Sequence, residues 1–207
     1  MIVHCKHHGV TLNMSAAQRF AIALSASLFS FYNVMIFSQM NVLGVYLTQE
    51  LHFEEASIGF IASWDLIGNV ISFIPIGMLI DRYPLRRIVI PLFSLTILAT
   101  IASSFVTSIW AFSALRFIQG LASAASLLTL MRIGTTLAPH HINKSIGFMI
   151  FLALSGGVFG NVVFSAMADH WGWRHALYGT AAIGIVCLLF ITYFLHPINS
   201  LNSRTIF

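Results

Sequence analysis

The sequence predicts an all-α membrane protein with six transmembrane helices, and three observations support this fold class. Hydrophobic residues make up 58% of the 207-residue chain and charged residues only 8%, whereas about a quarter of an ordinary soluble domain is charged. The apolar residues fall into six stretches, each long enough at about 1.5 Å per residue to cross about 30 Å of hydrocarbon. Short polar segments separate the stretches, so neighbouring helices are expected to run antiparallel.

Six spans account for most of the chain. We predict them at 20–47, 56–79, 88–106, 110–132, 145–168 and 176–195. Helices are expected because a helix satisfies its own backbone hydrogen bonds in lipid, where an open sheet edge cannot. Residues 1–19 are then an N-terminal tail, 20–195 the six-helix transmembrane domain, and 196–207 a C-terminal tail or the start of a linker.

Polar residues mark the ends of the first three spans. The first span follows the polar tail and ends before an acidic loop that contains Glu50. The second span runs directly into a compact turn that holds Asp81 and three arginines, and the third begins at once with Ile88. So short a turn between two spans predicts a tight helical hairpin.

Aromatic and basic residues mark the last three spans. The fourth begins at Trp110 and ends at the basic Arg132, and a turn containing Trp171 and Trp173 separates the fifth from the sixth. Indole rings prefer the membrane–water interface. These three tryptophans are therefore expected at one membrane surface.

The distribution of lysine and arginine predicts the orientation. With the N-terminus inside, the cytoplasmic segments hold eight such residues, namely Lys6, Arg19, Arg82, Arg86, Arg87, Arg132, Lys144 and Arg204. The external segments hold Arg174 alone. Cytoplasmic loops carry the excess of positive charge, so both termini are expected in the cytoplasm. The chain is expected to span the plasma membrane, which in bacteria is the inner membrane.

Two turns of this sequence resemble each other across an interval of 88 residues. The segment from Gly77 to Arg86 aligns with the segment from Ser165 to Arg174, and a small residue, an aspartate, a turn-former and an arginine recur in order. One turn is expected inside and the other outside. This is the pattern of a 3+3 inverted repeat, in which two halves of a helical domain have opposite topology.

The charged turn resembles the loop motif of the major facilitator superfamily of transporters. The motif positions are occupied by Gly77, Asp81, Arg82, Arg86 and Arg87, whereas Pro84 and Leu85 depart from the usual glycine and base. The resemblance implies that these residues latch the inner ends of two transporter halves together and so act as a gate.

Two further segments resemble the same family in the same order. Arg116-Phe-Ile-Gln119-Gly120 is similar to the motif of its fourth helix, and the segment from Asp169 to Arg174 is similar to the turn before its sixth helix. The family has twelve spans in two halves. The resemblance therefore implies half of a major facilitator fold, present as a truncated or split N-terminal half of a secondary active transporter driven by an ion gradient.

The solute class is predicted from weaker features. The Gly160-to-Ser165 segment lacks the proline and later glycines of the family's drug–proton antiporters, which argues against drug efflux. Phe29-Ser-Phe-Tyr32 and the basic Arg132 resemble the phagosomal-transporter branch, which moves amino acids and nucleosides. A small organic solute, an amino acid or a nucleoside, is the expected substrate.

Charged residues inside two spans are the candidates for coupling transport to protons. Arg116 lies six residues into the fourth span and Asp65 lies inside the second, and a charge at such depth costs about 2.5–3.5 kcal/mol on insertion scales, so it requires a partner or water. We predict that the two form a charge pair that protonation of Asp65 breaks, or a static structural pair. Gln119 and Gly120 follow Arg116 on one helical face.

Polar residues within the spans are candidates for hydrogen bonds to the solute. They are Asn33, Gln39, Asn41, Asn69, Ser123 and Asn161. Such side chains also bridge helices in membranes, typically for about 0.6 kcal/mol each. Gly156 and Gly160 are expected to permit close helix packing.

Other functions are weighed against transport. A serine protease of the rhomboid type would need a base near Ser155, and His196 lies past the last span, so no enzyme is expected. The tail from His4 to His8 matches one box of a diiron site without the further boxes, and no nucleotide motif is present, so neither a metal nor a cofactor is expected.

The partners that follow are the lipid bilayer, a small-molecule solute and protons, together with a missing C-terminal half or a second copy. The scattered cations form no basic face for nucleic acid. A non-transporting remnant or interaction protein, and a homodimerising half-transporter, remain the alternatives.

Overall fold

The computed structural model describes residues 16–137 and 142–194. The helices in these ranges are α1 (Ala16–Leu51), α2 (Glu55–Arg82), α3 (Leu85–Ser103), α4 (Ile109–Leu137), α5 (Ile142–Trp171) and α6 (Trp173–Phe194). All six are long and apolar enough to cross a membrane. The described residues contain no strand, which confirms the predicted fold class.

The helices extend beyond the predicted spans. Helix α1 begins at Ala16, inside the segment predicted as a tail, and α5 runs from Ile142 to Trp171. A hydropathy pattern marks the hydrocarbon boundary, whereas a helix ends where its backbone is capped or turned. The rest of the predicted tails, with Lys6, Arg204 and the His4–His8 segment, lies outside the described residues.

Two very short turns connect consecutive helices, and each has a local cause. Between α2 and α3, Tyr83 is extended (φ −118°, ψ 154°) and precedes Pro84, because a proline disfavours the helical conformation of the residue before it. Between α5 and α6, Gly172 has φ +81° and its N–H donates to the Ala168 carbonyl at 2.9 Å. Glycine adopts this left-handed cap without steric cost.

The core consists of two apolar clusters, one towards each end of the bundle. The Asp81-end cluster lies nearer the α2–α3 turn and includes Phe29, Tyr32, Phe93, Ala124, Leu130 and Ile191. The Asp169-end cluster lies nearer the α5–α6 turn and includes Met40, Leu43, Leu47, Phe112, Phe164 and Trp173. These two names are used for the clusters below.

The inverted repeat is visible in how the helices cross. The most extensive contacts join α2 to α4 and α1 to α5. At the first crossing, a Cβ on Gly68 would overlap the Phe117 carbonyl; at the second, a Cβ on Gly156 would overlap the Phe31 carbonyl. Gly68 and Gly156 are 88 positions apart, the same interval as the two aligned turns. The bundle is therefore a 3+3 inverted repeat.

The contacts of the two repeated aspartates obey the same symmetry. Arg132 of α4 lies 3.8 Å from the Asp81 carboxylate and also donates to the Ile80 carbonyl. At the opposite end, the Tyr46 hydroxyl of α1 donates to Asp169. Tyr46 and Arg132 are 86 positions apart, close to the 88-residue interval of the repeat. Asp81 thus joins α2 to α4, and Asp169 joins the equivalent helix α5 to α1.

Candidate functional site

Helices α2 and α4 cross with almost no side chain between their backbones. A Cβ on Gly120 would overlap the Asp65 carbonyl oxygen and would lie 3.0 Å from the Asn69 nitrogen. The predicted coupling residues Asp65, Arg116 and Gly120 therefore meet at one crossing. Gly120 contributes close packing there and no functional group.

Arg116 is buried at this crossing and reaches across to α1. Its side chain is only 4% exposed, and Nη1 donates to the Ile36 carbonyl at 3.0 Å. Two ion pairs closer than 4 Å in the described chain are Arg132–Asp81 and Arg174–Glu50, and neither involves Arg116. No ion pair within 4 Å joins Arg116 to Asp65 in the described residues, so the predicted charge pair is not a direct one.

Gln119 lies one turn from Arg116 and points away from any open surface. Its Nε2 donates to Thr100 Oγ1 of α3 at 3.2 Å. The residue is 4% exposed. The predicted polar face of α4 is thus part of the interior of the bundle.

The candidate solute contacts divide into buried and accessible residues. Asn33 and Gln39 are buried, and Asn33 Nδ2 donates to the Phe29 carbonyl of its own helix at 2.9 Å. Asn41 is exposed, while Asn69, Ser123 and Asn161 are half-buried. Of the six candidates, these four are at least partly exposed.

A groove between α1 and α2 contains the most accessible of these residues. Its volume is about 420 Å³, and Asn41, Thr48 and Glu55 supply polar groups to its lining. We call the exposed strip of α1 beside this groove, Phe37, Asn41 and Val45, the open face. Sequence analysis missed Thr48 and Glu55, although the spacing of Asn41, Val45 and Thr48 is that of one helical face.

The predicted gate residues lie at the α2–α3 turn as expected, but the ionic partner of the aspartate comes from another helix. Arg82 and Arg87 are exposed and Arg86 is half-buried. Asp81 is closest to Arg132 of α4. Gly77 is half-buried in the last turns of α2. Within the described residues, the predicted gate motif thus joins α2 to α4.

A second polar cluster lies at the opposite end and centres on Glu50. The Trp173 indole donates to its carboxylate at 2.7 Å, and Arg174 lies 3.7 Å from the same oxygen. The Arg174 guanidinium also stacks 4.3 Å from the Trp173 ring centroid and donates to the Ser104 carbonyl. Glu50 and Tyr46 were not predicted, because nothing in the sequence indicates which helix faces the α5–α6 turn.

Comparison with known proteins places these features in a family context. A family model described as Major Facilitator Superfamily matches residues 20–206. The 4-hydroxybenzoate transporter of Pseudomonas aeruginosa is 26% identical over 157 residues, which are 75% of this chain and 35% of that protein. The gentisate transporter of Corynebacterium glutamicum is 24% identical over 179 residues, 82% of this chain and 39% of that protein.

A third relative is named for a different class of compounds. A multidrug resistance protein of Klebsiella pneumoniae is 31% identical over 107 residues, 48% of this chain and 26% of that protein. The chain therefore spans between 26% and 39% of the length of these relatives.

Proposed function

Because this chain belongs to the Major Facilitator Superfamily, we propose that it is the N-terminal six-helix half of an ion-driven transporter of small organic solutes. The observation that carries the proposal is the pair of glycine crossings, Gly68 with Phe117 and Gly156 with Phe31. Inverted repeats allow one scaffold to adopt two conformations that open to opposite sides of the membrane. An aqueous path for a solute then runs along the open face of α1.

Aromatic carboxylic acids are the solutes that we propose to test first. Two of the similar proteins are named as transporters of 4-hydroxybenzoate and gentisate. The Asn41 amide in the groove offers the N–H donors that a carboxylate or a phenol oxygen requires, and the Thr48 hydroxyl, which donates to the Val45 carbonyl, can accept from a phenol hydroxyl. The predicted amino acids and nucleosides gain no support from these relatives, and the multidrug relative makes lipophilic drugs the second class to test.

Asp65 and Arg116 remain our proposal for the coupling residues. Asp65 is the one buried acid among the described residues, and its carboxylate lacks a direct ionic partner there. Ionisable residues inside a membrane typically mark ion pathways and proton relays. A proton gradient is therefore the proposed energy source.

The proposal also requires a second six-helix bundle. Apolar side chains such as Val70 and Ile74 of α2 and Val158 and Val162 of α5 are exposed, and family members hold solute between two such bundles. The second bundle is further chain of the same protein, a separate polypeptide or a second copy. We propose that it latches at the Asp81 end and that this end faces the cytoplasm, in a plasma membrane or a bacterial inner membrane; the excess of positive charge there supports this orientation.

Solute uptake by whole cells tests the proposed function. Cells without aromatic acid uptake would produce the chain alone, or the chain together with the protein encoded by its native downstream DNA. We expect at least one arrangement to accumulate radiolabelled 4-hydroxybenzoate or gentisate, and a protonophore to abolish accumulation. Asn41→Leu should reduce uptake about tenfold, the equivalent of one lost hydrogen bond of about 1.4 kcal/mol.

The matched control is Thr192→Val on α6, whose hydroxyl is used within its own helix and which should leave uptake unchanged. A nucleoside, an amino acid and a lipophilic dye form the other arms of the assay. If neither arrangement accumulates any of these compounds above cells with an empty vector, transport is the wrong function.

A further inference from the structure

A layer of buried polar side chains separates the two apolar clusters. On α1 it holds Gln39, between Ile36 of one cluster and Met40 of the other. Helices α3, α4 and α6 contribute five more buried polar residues: Thr100, Ser113, Arg116, Gln119 and Thr180. We call these six residues the polar layer. Each is at most 4% exposed, so the layer lies inside the half and not on the open face.

Local hydrogen bonds satisfy part of the polar layer. The hydroxyls of Ser113, Thr180 and Thr100 donate to carbonyls of their own helices. Arg116 donates to Ile36, and Gln119 Nε2 donates to Thr100. These contacts leave no protein partner for three atoms of the layer.

The three atoms belong to two amides. Both Nε2 and Oε1 of Gln39, and Oε1 of Gln119, have no hydrogen-bond partner among protein atoms. An amide transferred to an apolar environment without a hydrogen bond is strongly disfavoured. Such a group in a membrane interior requires a polar partner that the side chains around it do not supply.

Each amide belongs to a residue one helical turn from the hydrogen bond between Arg116 and Ile36. Arg116 reaches the Ile36 carbonyl, and Gln39 lies one turn further along the same buried face of α1. Gln119 lies one turn along α4 from Arg116. A guanidinium has five N–H donors, and the contact with Ile36 uses one of them. The layer therefore holds N–H donors on α4 and unpaired amide atoms on α1 and α4, all within one helical turn of the same contact.

We propose that the polar layer binds ordered water molecules that link the Gln39 amide, the Arg116 guanidinium and the Gln119 carbonyl oxygen. Water is the ligand that fits, because it can accept from Arg116 and donate to both amide oxygens. A buried water typically makes about three hydrogen bonds to otherwise unpaired polar groups. The site is distinct from the solute groove, which lies beside Asn41 on the opposite, exposed side of α1.

Bound water in this layer would keep the charge of Arg116 solvated without a direct carboxylate partner. It would also join α1 to α4 through mobile bridges, which can be exchanged when the helices shift. The proposal stands independently of transport, because it concerns hydration of the folded half alone.

Water-edited solid-state NMR of the full chain in lipid bilayers tests the proposal directly. Magnetisation transferred from water protons should build up rapidly on the side-chain amides of Gln39 and Gln119, which the variants Gln39→Leu and Gln119→Leu assign. The matched control is the buried Asn33 amide, which the Phe29 carbonyl satisfies and which should receive magnetisation slowly. Equal, slow build-up on all three amides would overturn the proposal.

Thermal unfolding gives an independent test, because the direction of the change in Tm differs between a dry and a hydrated layer. In a dry layer, Gln39→Leu removes two unpaired polar atoms and should raise Tm. In a hydrated layer, the same change breaks water bridges and should lower Tm by about 2–4 °C. The exposed Gln49→Leu serves as the control and should leave Tm unchanged, and a rise of Tm for Gln39→Leu alone would contradict the proposal.

Discussion

Replacing Arg116 with methionine should abolish uptake and lower Tm by about 5 °C. The guanidinium is buried and donates to the Ile36 carbonyl, and a hydrogen bond to a charged group is typically worth about 1.5–3 kcal/mol. A loss of that size lowers Tm of a chain of this length by several degrees, at about 2–4 °C per kcal/mol. Methionine keeps the length of the side chain but donates no hydrogen bond.

Uptake and thermal melts in detergent would measure this effect, with the exposed Lys144→Met as the control for loss of one positive charge.

The structure also predicts the result of exchanging the two buried charges. The double variant Asp65→Arg, Arg116→Asp should be no better than either single change, because the direct partner of Arg116 is the Ile36 carbonyl. Rescue by the exchange would instead demonstrate a direct ion pair between α2 and α4.

Replacing Gly120 with alanine should destabilise the bundle although it adds only one methyl group. A Cβ at this position would overlap the Asp65 carbonyl oxygen and lie 2.9 Å from the Asp65 carbonyl carbon. Backbone atoms cannot move aside as a flexible side chain can, so α2 and α4 must separate. Overpacking of this kind costs about 1–3 kcal/mol, and we expect Tm to fall by about 2–12 °C.

Two other glycines provide matched controls within helices of the same bundle. A Cβ on Gly59 or on Gly147 would have no heavy atom within 4 Å. Alanine favours the helix over glycine, so both control substitutions should leave Tm unchanged or raise it. If Gly120→Ala behaves like Gly59→Ala, the two helices do not approach each other as closely as described.

The sequence was sufficient to predict the fold because the apolar composition and the length of a segment identify a membrane helix. The six spans, the 3+3 repeat and the two equivalent turns at Asp81 and Asp169 all follow from the order of residues along the chain. The predicted ends of the spans were less accurate. The first span was placed at 20–47, whereas α1 continues to Leu51, since apolar residues stop at the lipid boundary and the helix does not.

The contacts between helices were harder to predict, because they depend on how each helix is rotated about its axis. Both faces of a buried membrane helix are apolar, so periodicity does not show which face is open. Asn33, Gln39 and Asn41 therefore appeared equivalent in sequence, although only Asn41 is exposed. The Ile36 partner of Arg116 is a backbone carbonyl and has no sequence signature.

Cysteine accessibility at Asn41 is the most direct test of the claim that the open face of α1 lines an aqueous path for a solute. The variant Asn41→Cys would be made in a background with Cys5→Ser and Cys187→Ala, and its reaction with a membrane-impermeant maleimide would be timed in intact cells. The control is Val186→Cys, exposed on α6, where we expect lipid. Rapid modification at position 41 and none at 186 is the predicted result. Equal, negligible modification at both positions would mean that lipid covers the open face, and would contradict the account.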